Sequence, residues 1–351
     1  MAHAALPAIA VAAAVPNVMS LDETKAAMVV TSGAPEGPAP VMSMVSPTSD
    51  ALKSAPVVVK SVLEAVVVPS VLLASEVRSH WAVPLIEVCA AHRVSHVVLA
   101  GGLPSSAAVR QIKQAGIRVF CFASALGLAR KLARMGVDAI VIEGSEAGGH
   151  IGPVSTGVLA QEILPHFAGL PVFVAGGIGR GEAMLAYLEM GAAGVQLGTR
   201  FVCAHESIAH PRFKQAFIRA SARDAVASVQ LDHRFPVIPV RALSNPATKR
   251  FIAMQRSVID RFVRGELTQK AAQLEIEHFW AGALRRAVID GDIETGSLMA
   301  GQSVGLVTRE QSTVEIIEEL VGQALAVLAA RSRRALDRPL PRFLEEAGAQ
   351  G

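Results

Sequence analysis

The chain has 351 residues, enough for one large barrel or two ordinary domains with a sizeable core. Hydrophobic residues make up 51% and charged residues 18%, which excludes a disordered chain. A net charge of +3 with scattered basic residues excludes a strongly basic surface for nucleic acid.

Residues 1–80 have an atypical texture, with no Phe or Tyr before Trp81 and weak periodicity. The run "ALPAIAVAAAV" resembles the apolar part of a signal peptide, but only His3 precedes it where basic residues are expected. It is also shorter than the ~20 residues that a membrane span needs. The expectation is therefore a soluble, cytoplasmic protein with no membrane association. "APVVVKSVLEAVVVPSVLLAS" supplies one or two strands, so residues 1–80 form an N-terminal segment able to hold the first units of a barrel.

From residue 95 the pattern becomes regular. "HVVLAGG" is a buried-strand run, followed by "SSAAVRQIKQAG" with helical spacing of Val109, Ile112 and Ala115. "RVFCFA" pairs with "ALGLARKLARMG", "AIVIEG" with "TGVLAQEILPHF", "PVFVAGG" with "GEAMLAYLEMG", and "AGVQLGT" with "AHPRFKQAFIRA". Five successive strand–helix units predict a parallel sheet covered by helices. Their length and number suit a TIM (β/α)₈ barrel, with a doubly wound sheet as the alternative that pattern leaves open.

Residues 81–206 are thus assigned to barrel units. Residues 207–295, mostly amphipathic helix, read as a helical insertion near the C-terminal third that could cap one face. "SLMAGQSVGLV" returns to the barrel, and "TVEIIEELVGQALAVLAARSRRAL" closes it, over 296–335. Residues 336–351 form a tail, and the basic run "RSRRALDRPLPR" reads as solvated and not as a nucleic-acid site.

Cys89, Cys121 and Cys203 lie far apart with no C-x-x-C pair, so neither a disulfide framework nor a metal site is expected. In "PVFVAGGIGRGEAML" a strand runs into Gly176, Gly177, Gly179 and Gly181 and straight into a helix. Converging backbone N–H groups and a helix N-terminus would stabilise a phosphate there, the alternative being that the glycines serve only a tight strand–helix turn. The dinucleotide fingerprint fails, because Glu182 stands where its last glycine belongs. "GVQLGTRF" supplies a second turn, with Gln196, Gly198 and Thr199 at a strand end, and adjacent late-strand loops are the usual phosphate site of a barrel. Arg200 is either a phosphate partner or a structural ion-pair partner. His205 and His210 read as structural or solvent-facing. No G-x-S-x-G, P-loop or H-E-x-x-H occurs.

"EGSEAGGHIG" places His150 in a glycine-rich loop after a strand, beside Glu143 and Glu146, which are acid–base candidates or ordinary loop carboxylates. Together with "VFVAGGIGRG", "GAAGVQLGTRFV" and "GSLMAGQSVGLV", in that order, it resembles the nitronate monooxygenase (2-nitropropane dioxygenase) family over roughly residues 95–325. The FMN-dependent enoyl-acyl-carrier-protein reductases of type II share these motifs. The resemblance implies a TIM-barrel flavoprotein with FMN as cofactor. It puts Glu143 and Gly148 beside the flavin, and Gly176, Gly177, Gln196, Gly198 and Thr199 around its phosphate. It makes His150 the catalytic acid–base group. Residues 1–80 lack the family's Gln-Gly-Pro/Gly-Met loop and Gly-Gly-Leu-Gly turn, and Ser70 aligns with a family asparagine.

The expected activity is oxidation of alkyl nitronates with O₂. The alternatives are NAD(P)H-dependent enoyl-thioester reduction and a flavin-less structural barrel. The expected partner is a small-molecule substrate, nitronate or enoyl thioester, and a homodimer is the assembly left open.

Overall fold

The computed structural model describes residues 86–92, 94–100, 103–237 and 239–333 throughout. It also gives the backbone of 334–336 and of four strands nearer the N-terminus: β1 (Ala12–Ala13), β2 (Val18–Met19), β3 (Met28–Val30) and β4 (Ser70–Ala74). The rest of the atypical segment 1–80 and the tail beyond 336 lie outside the described residues.

Five strand–helix units follow in the expected places. β5 (His96–Ala100) leads to α1 (Ser106–Gln114), β6 (Arg118–Ala123) to α2 (Leu126–Arg134), and β7 (Ala139–Glu143) to α3 (Thr156–Ile163). Between β7 and α3 lies a two-residue strand, β8 (Gly149–His150). β9 (Val172–Ala175) precedes α4 (Gly181–Glu189), and β10 (Gly194–Leu197) precedes the short α5 (Thr199–Val202) and then α6 (Pro211–Arg219). Local chemistry explains the boundaries. Ser105 caps α1 by accepting from the Ala108 N–H at 3.1 Å, and Gly116, at φ +76°, ends the turn that follows.

The main sheet runs β1-β10-β9-β7-β6-β5-β4-β3-β2. Strands β4 to β10 are parallel and appear in chain order without reversal, β8 standing apart. A doubly wound sheet reverses its order at a switch point, so this curled sheet is the wall of a TIM barrel. β3 departs from the all-parallel pattern: it pairs antiparallel with β4, and β2 and β3 pair antiparallel with each other. Only residues 20–27 separate them, too few for the crossover that a parallel pair needs.

Alternation along the strands divides the core in two. One face of the wall turns Val97, Val119, Cys121, Ile140, Ile142, Val174 and Val195 toward buried helix residues such as Ile112, Leu132, Leu159, Leu185 and Leu320. Each such aliphatic side chain contributes about 1.5–3 kcal/mol when fully buried. The other face carries Val141, Phe173 and Ala175, with Phe120 stacked on Phe173 at 5.6 Å.

The segment expected as a helical insertion carries α6, α7 (Pro246–Val263), α8 (Gln269–His278) and α9 (Ala283–Val288). It also holds two strands that its helical periodicity hides, β11 (Ala225–Ala227) and β12 (Val240–Leu243). They form a small antiparallel sheet with β8, in the order β11-β12-β8. The chain then makes a 3₁₀ turn at Gln302–Leu306 and ends its described part in α10 (Thr313–Leu336). No helix among the described residues is long and apolar enough to cross a membrane.

Candidate functional site

The C-terminal ends of the barrel strands gather most of the residues singled out in the sequence. Glu143 of β7 lies opposite Ala175 of β9, and Ala175 lies opposite Gln196 of β10. Glu143, the Gly176–Gly177 turn and the Gln196–Thr199 turn therefore stand at one level on three adjacent strands. Ligand sites of parallel barrels form at this edge.

Gly176 and Gly177 adopt φ +94° and +74°, a left-handed backbone that favours glycine. The N–H groups of Gly177, Gly179 and Gly198 meet no acceptor among the described residues, and Gly177 and Gly198 are exposed. A side chain begun at Gly198 would enter open space. Unpartnered backbone donors on two neighbouring turns fit a phosphate group, with the Glu146 side chain bordering the first turn at Gly177 and the Leu306 and Ser303 side chains bordering it at Gly179. The same turns offer no second phosphate cradle of the dinucleotide kind. The residues present thus fit the phosphate end of FMN.

The loop after β7 is held from both sides. Ser145 N–H donates to the Val154 carbonyl at 2.7 Å, and the Glu146 carboxylate accepts from Thr156 N–H at 2.8 Å and from its hydroxyl at 2.9 Å. Ser155, the residue before α3, makes no side-chain cap, so Glu146 caps that helix from ten residues away. The Thr156 hydroxyl also reaches the Gly176 carbonyl at 3.1 Å, which ties the loop to the first glycine turn.

Gly301 joins the loop to the second turn. Its N–H donates to the Thr199 hydroxyl at 2.9 Å, and the neighbouring Gln302 N–H donates to the Glu146 carbonyl at 2.9 Å. A Cβ on Gly301 would lie 2.7 Å from that carbonyl and 3.1 Å from Gly148 N. A Cβ on Gly148 would in turn lie 2.5 Å from Gly301 N. The two glycines permit backbone contact that no other pair allows. Gly148 and Thr199 are thereby brought to one junction.

His150 stands on the rim of this arrangement. β8 pairs antiparallel with β12, His150 opposite Val240 and Gly149 opposite Arg241. Arg241 donates to the Ser145 carbonyl at 2.8 Å and to the Ala225 carbonyl at 2.6 Å, clamping β12 against the loop. The imidazole itself is exposed and makes no hydrogen bond among the described residues. Its backbone is fixed while its ring is open to a ligand.

Burial sets the electrostatics. Desolvation pushes the Glu143 carboxyl up to about 7, so it is partly protonated at neutral pH. Desolvation lowers the Arg241 guanidinium's proton affinity, with the Glu146 charge opposing the shift. Arg200 resolves in favour of the ion pair. It is 5% exposed and donates to the Leu306 carbonyl at 2.6 Å, Gln311 Oε1 at 2.8 Å and Glu319 Oε2 at 2.6 Å. His210 has a structural role, its Nδ1 accepting from Arg212 N–H at 3.1 Å at the start of α6.

Thr156, Arg241 and Gly301 were not picked out from the sequence. Gly301 lies in "GSLMAGQSVGLV", one of the four motifs that carry the family resemblance. Thr156 and Arg241 carry no local signal, because their partners lie 10 and 96 residues away. Among the described residues no cluster of His, Cys, Asp or Glu could hold a metal ion.

Comparison with known proteins follows these lines. A family model described as nitronate monooxygenase matches residues 5–323. A Mycobacterium tuberculosis protein named (3aS,4S,5R,7aS)-5-hydroxy-7a-methyl-1-oxo-octahydro-1H-indene-4-carboxyl-CoA dehydrogenase is 31% identical over 266 residues, 68% of this chain and 73% of its own. A probable nitronate monooxygenase of Staphylococcus aureus is 31% identical over 198 residues, 52% of this chain and 54% of that one. The solved structure of FabK from Thermotoga maritima superimposes with a TM-score of 0.65 at 32% identity, covering 79% of this chain and 83% of FabK.

Proposed function

Because the chain belongs to the nitronate monooxygenase family, whose members are flavin-dependent oxidoreductases, we propose that this enzyme binds FMN and oxidises alkyl nitronates with O₂. The observation that carries the reading is the alignment of two donor-lined glycine turns with Glu143, next to an exposed histidine on a clamped loop. Gly177, Gly179 and Gly198 would hold the phosphate through their N–H groups. Bound there, FMN would supply two-electron redox chemistry between the substrate and O₂.

The protein's own groups handle protons and charge. His150, when charged, can steady the anionic oxygens of a bound nitronate, and as a neutral imidazole it can take the proton alpha to the nitro group from a neutral nitroalkane, which generates the nitronate. Glu143, partly protonated at pH 7, can donate a hydrogen bond where a full carboxylate would repel that anion. The Glu146–Thr156 and Gly148–Gly301 contacts keep the loop in place while ligands exchange.

A second reading is NAD(P)H-dependent reduction of an enoyl thioester. The breadth of the match to FabK, an enoyl-acyl-carrier-protein reductase, supports it, as does the similarity to a protein named as the dehydrogenase of an indene-carboxyl-CoA, itself a thioester. An anaerobic experiment separates the two. Oxidised, flavin-loaded protein is mixed with propyl-2-nitronate or with NADH, and flavin absorbance is followed. Bleaching by the nitronate is expected. Rapid bleaching by NADH with none by the nitronate would make enoyl reduction the function.

A further inference from the structure

Two turns can share one phosphate only if their separation is fixed, and the strand ladder stops short of both. α10 reaches each of them. The N–H of Gly181, which opens α4 directly after the first turn, donates to Gln323 Oε1 at 2.7 Å. Gln323 Nε2 donates to Glu319 Oε1 at 3.2 Å. The other oxygen of Glu319 accepts from Arg200, the residue after Thr199, at 2.6 Å, and from Gln311 Nε2 at 2.9 Å. One carboxylate on α10 thus connects the helix that follows each turn.

The surroundings make this chain of contacts stiff. Gly181 packs so closely on α10 that a Cβ would collide with the Leu320 carbonyl and lie 2.8 Å from Ala324 N. Arg200 is buried, and its Nε has no partner, so Glu319 is the only carboxylate that pairs with its charge among the described residues. Glu319 and Gln323 are four residues apart, which places them on one face of α10 one turn from each other.

We infer that Glu319 and Gln323 are positioning residues that set the spacing of the two phosphate-binding turns. The inference rests on the reading that FMN binds at those turns. Neither side chain needs to touch the cofactor. Glu319 acts through Arg200 on the Gly198–Thr199 turn, and Gln323 acts through Gly181 on the Gly176–Gly179 turn. Their effect is therefore specific to the phosphate end of the ligand, whereas a merely structural network would support the whole protein alike.

The experiment compares FMN with riboflavin, which lacks the phosphate, by fluorescence titration of the full-length apoprotein. In Glu319→Gln the Kd for FMN is expected to rise about tenfold, and in Gln323→Ala about three- to tenfold, with the riboflavin Kd unchanged within about twofold. Gln323→Ala leaves the Arg200–Glu319 pair in place, so it carries the test if loss of the Glu319 charge prevents folding. Equal loss for both ligands overturns the inference, as does unchanged FMN affinity in both variants. Equal affinity of the unaltered protein for FMN and riboflavin overturns the phosphate reading itself, and the inference with it.

Discussion

Glu146 accepts hydrogen bonds from both the N–H and the hydroxyl of Thr156, and so caps α3 from within the loop that carries His150. The contact joins stability to site geometry, because the Thr156 hydroxyl also meets the Gly176 carbonyl. Replacing Glu146 by Ala orphans the N-terminal N–H of Thr156 and leaves its hydroxyl with only the backbone carbonyls of Ala175 and Gly176. Loss of a charged cap costs about 1–3 kcal/mol. The expected result is a lower denaturant midpoint with an unchanged slope. Thr156→Val, which keeps the N–H bond, should lose less. A Glu146→Ala protein as stable as the parent would show that the carboxylate is no cap.

The part of this site that depends on short-range pattern was readable from the chain. Strand runs ending in Gly176–Gly177 and at Gly198 announce turns, and alternation of strands with amphipathic helices announces a parallel wall. What pattern could not show is what the turns touch. Glu146 and Thr156 are ten residues apart, Arg241 and Ser145 ninety-six, and Thr199 and Gly301 more than a hundred. Such contacts follow from topology and leave no periodic trace. β11 and β12 escaped for a related reason, since strands of three and four residues amid helices are too short for a period of two to register.

Gly177→Val tests the phosphate turn. At φ +74° a β-branched residue is strained, and its Cβ would lie 3.0 Å from Glu146 Cβ. Both effects tilt the turn's N–H groups away from a shared anion. FMN affinity should fall about tenfold or more, because charge-assisted hydrogen bonds to phosphate contribute about 1.5–3 kcal/mol each. Equilibrium titration followed by flavin fluorescence measures it. If the variant binds FMN as tightly as the parent, the phosphate lies elsewhere.

His150→Ala should leave flavin affinity nearly intact while turnover falls. The imidazole is exposed on β8 and contacts neither glycine turn by hydrogen bond, so the cofactor has little to lose. A positioned acid–base group contributes about 10²–10⁴-fold in rate. The measurement is kcat with the preferred substrate beside the flavin Kd of the same preparation. Turnover within a few-fold of the parent would reduce His150 to a loop residue.

Glu143 makes a prediction about pH whose sign differs from that of an ordinary salt-bridged carboxylate. Burial raises its carboxyl from 4.5 to about 7 in the folded protein. Between those values the folded state holds a proton that the unfolded state has released, so unfolding sheds a proton. Stability from this group therefore declines as pH rises from about 4.5 to 7, and levels off above 7. Below 4.5 both states are protonated and the group contributes nothing. Glu143→Gln keeps the shape and removes the titration, so the variant should match the parent near pH 4. It should become the more stable of the two by pH 8, by on the order of 2–3 kcal/mol at most. Denaturant midpoints of both proteins between pH 4 and 8 check this, the signature being divergence with rising pH. Parallel curves would mean that Glu143 ionises as freely in the folded chain as in the unfolded one. It would then meet the nitronate as a full negative charge, and the hydrogen-bond donor assigned to the β7 edge would have to come from another residue.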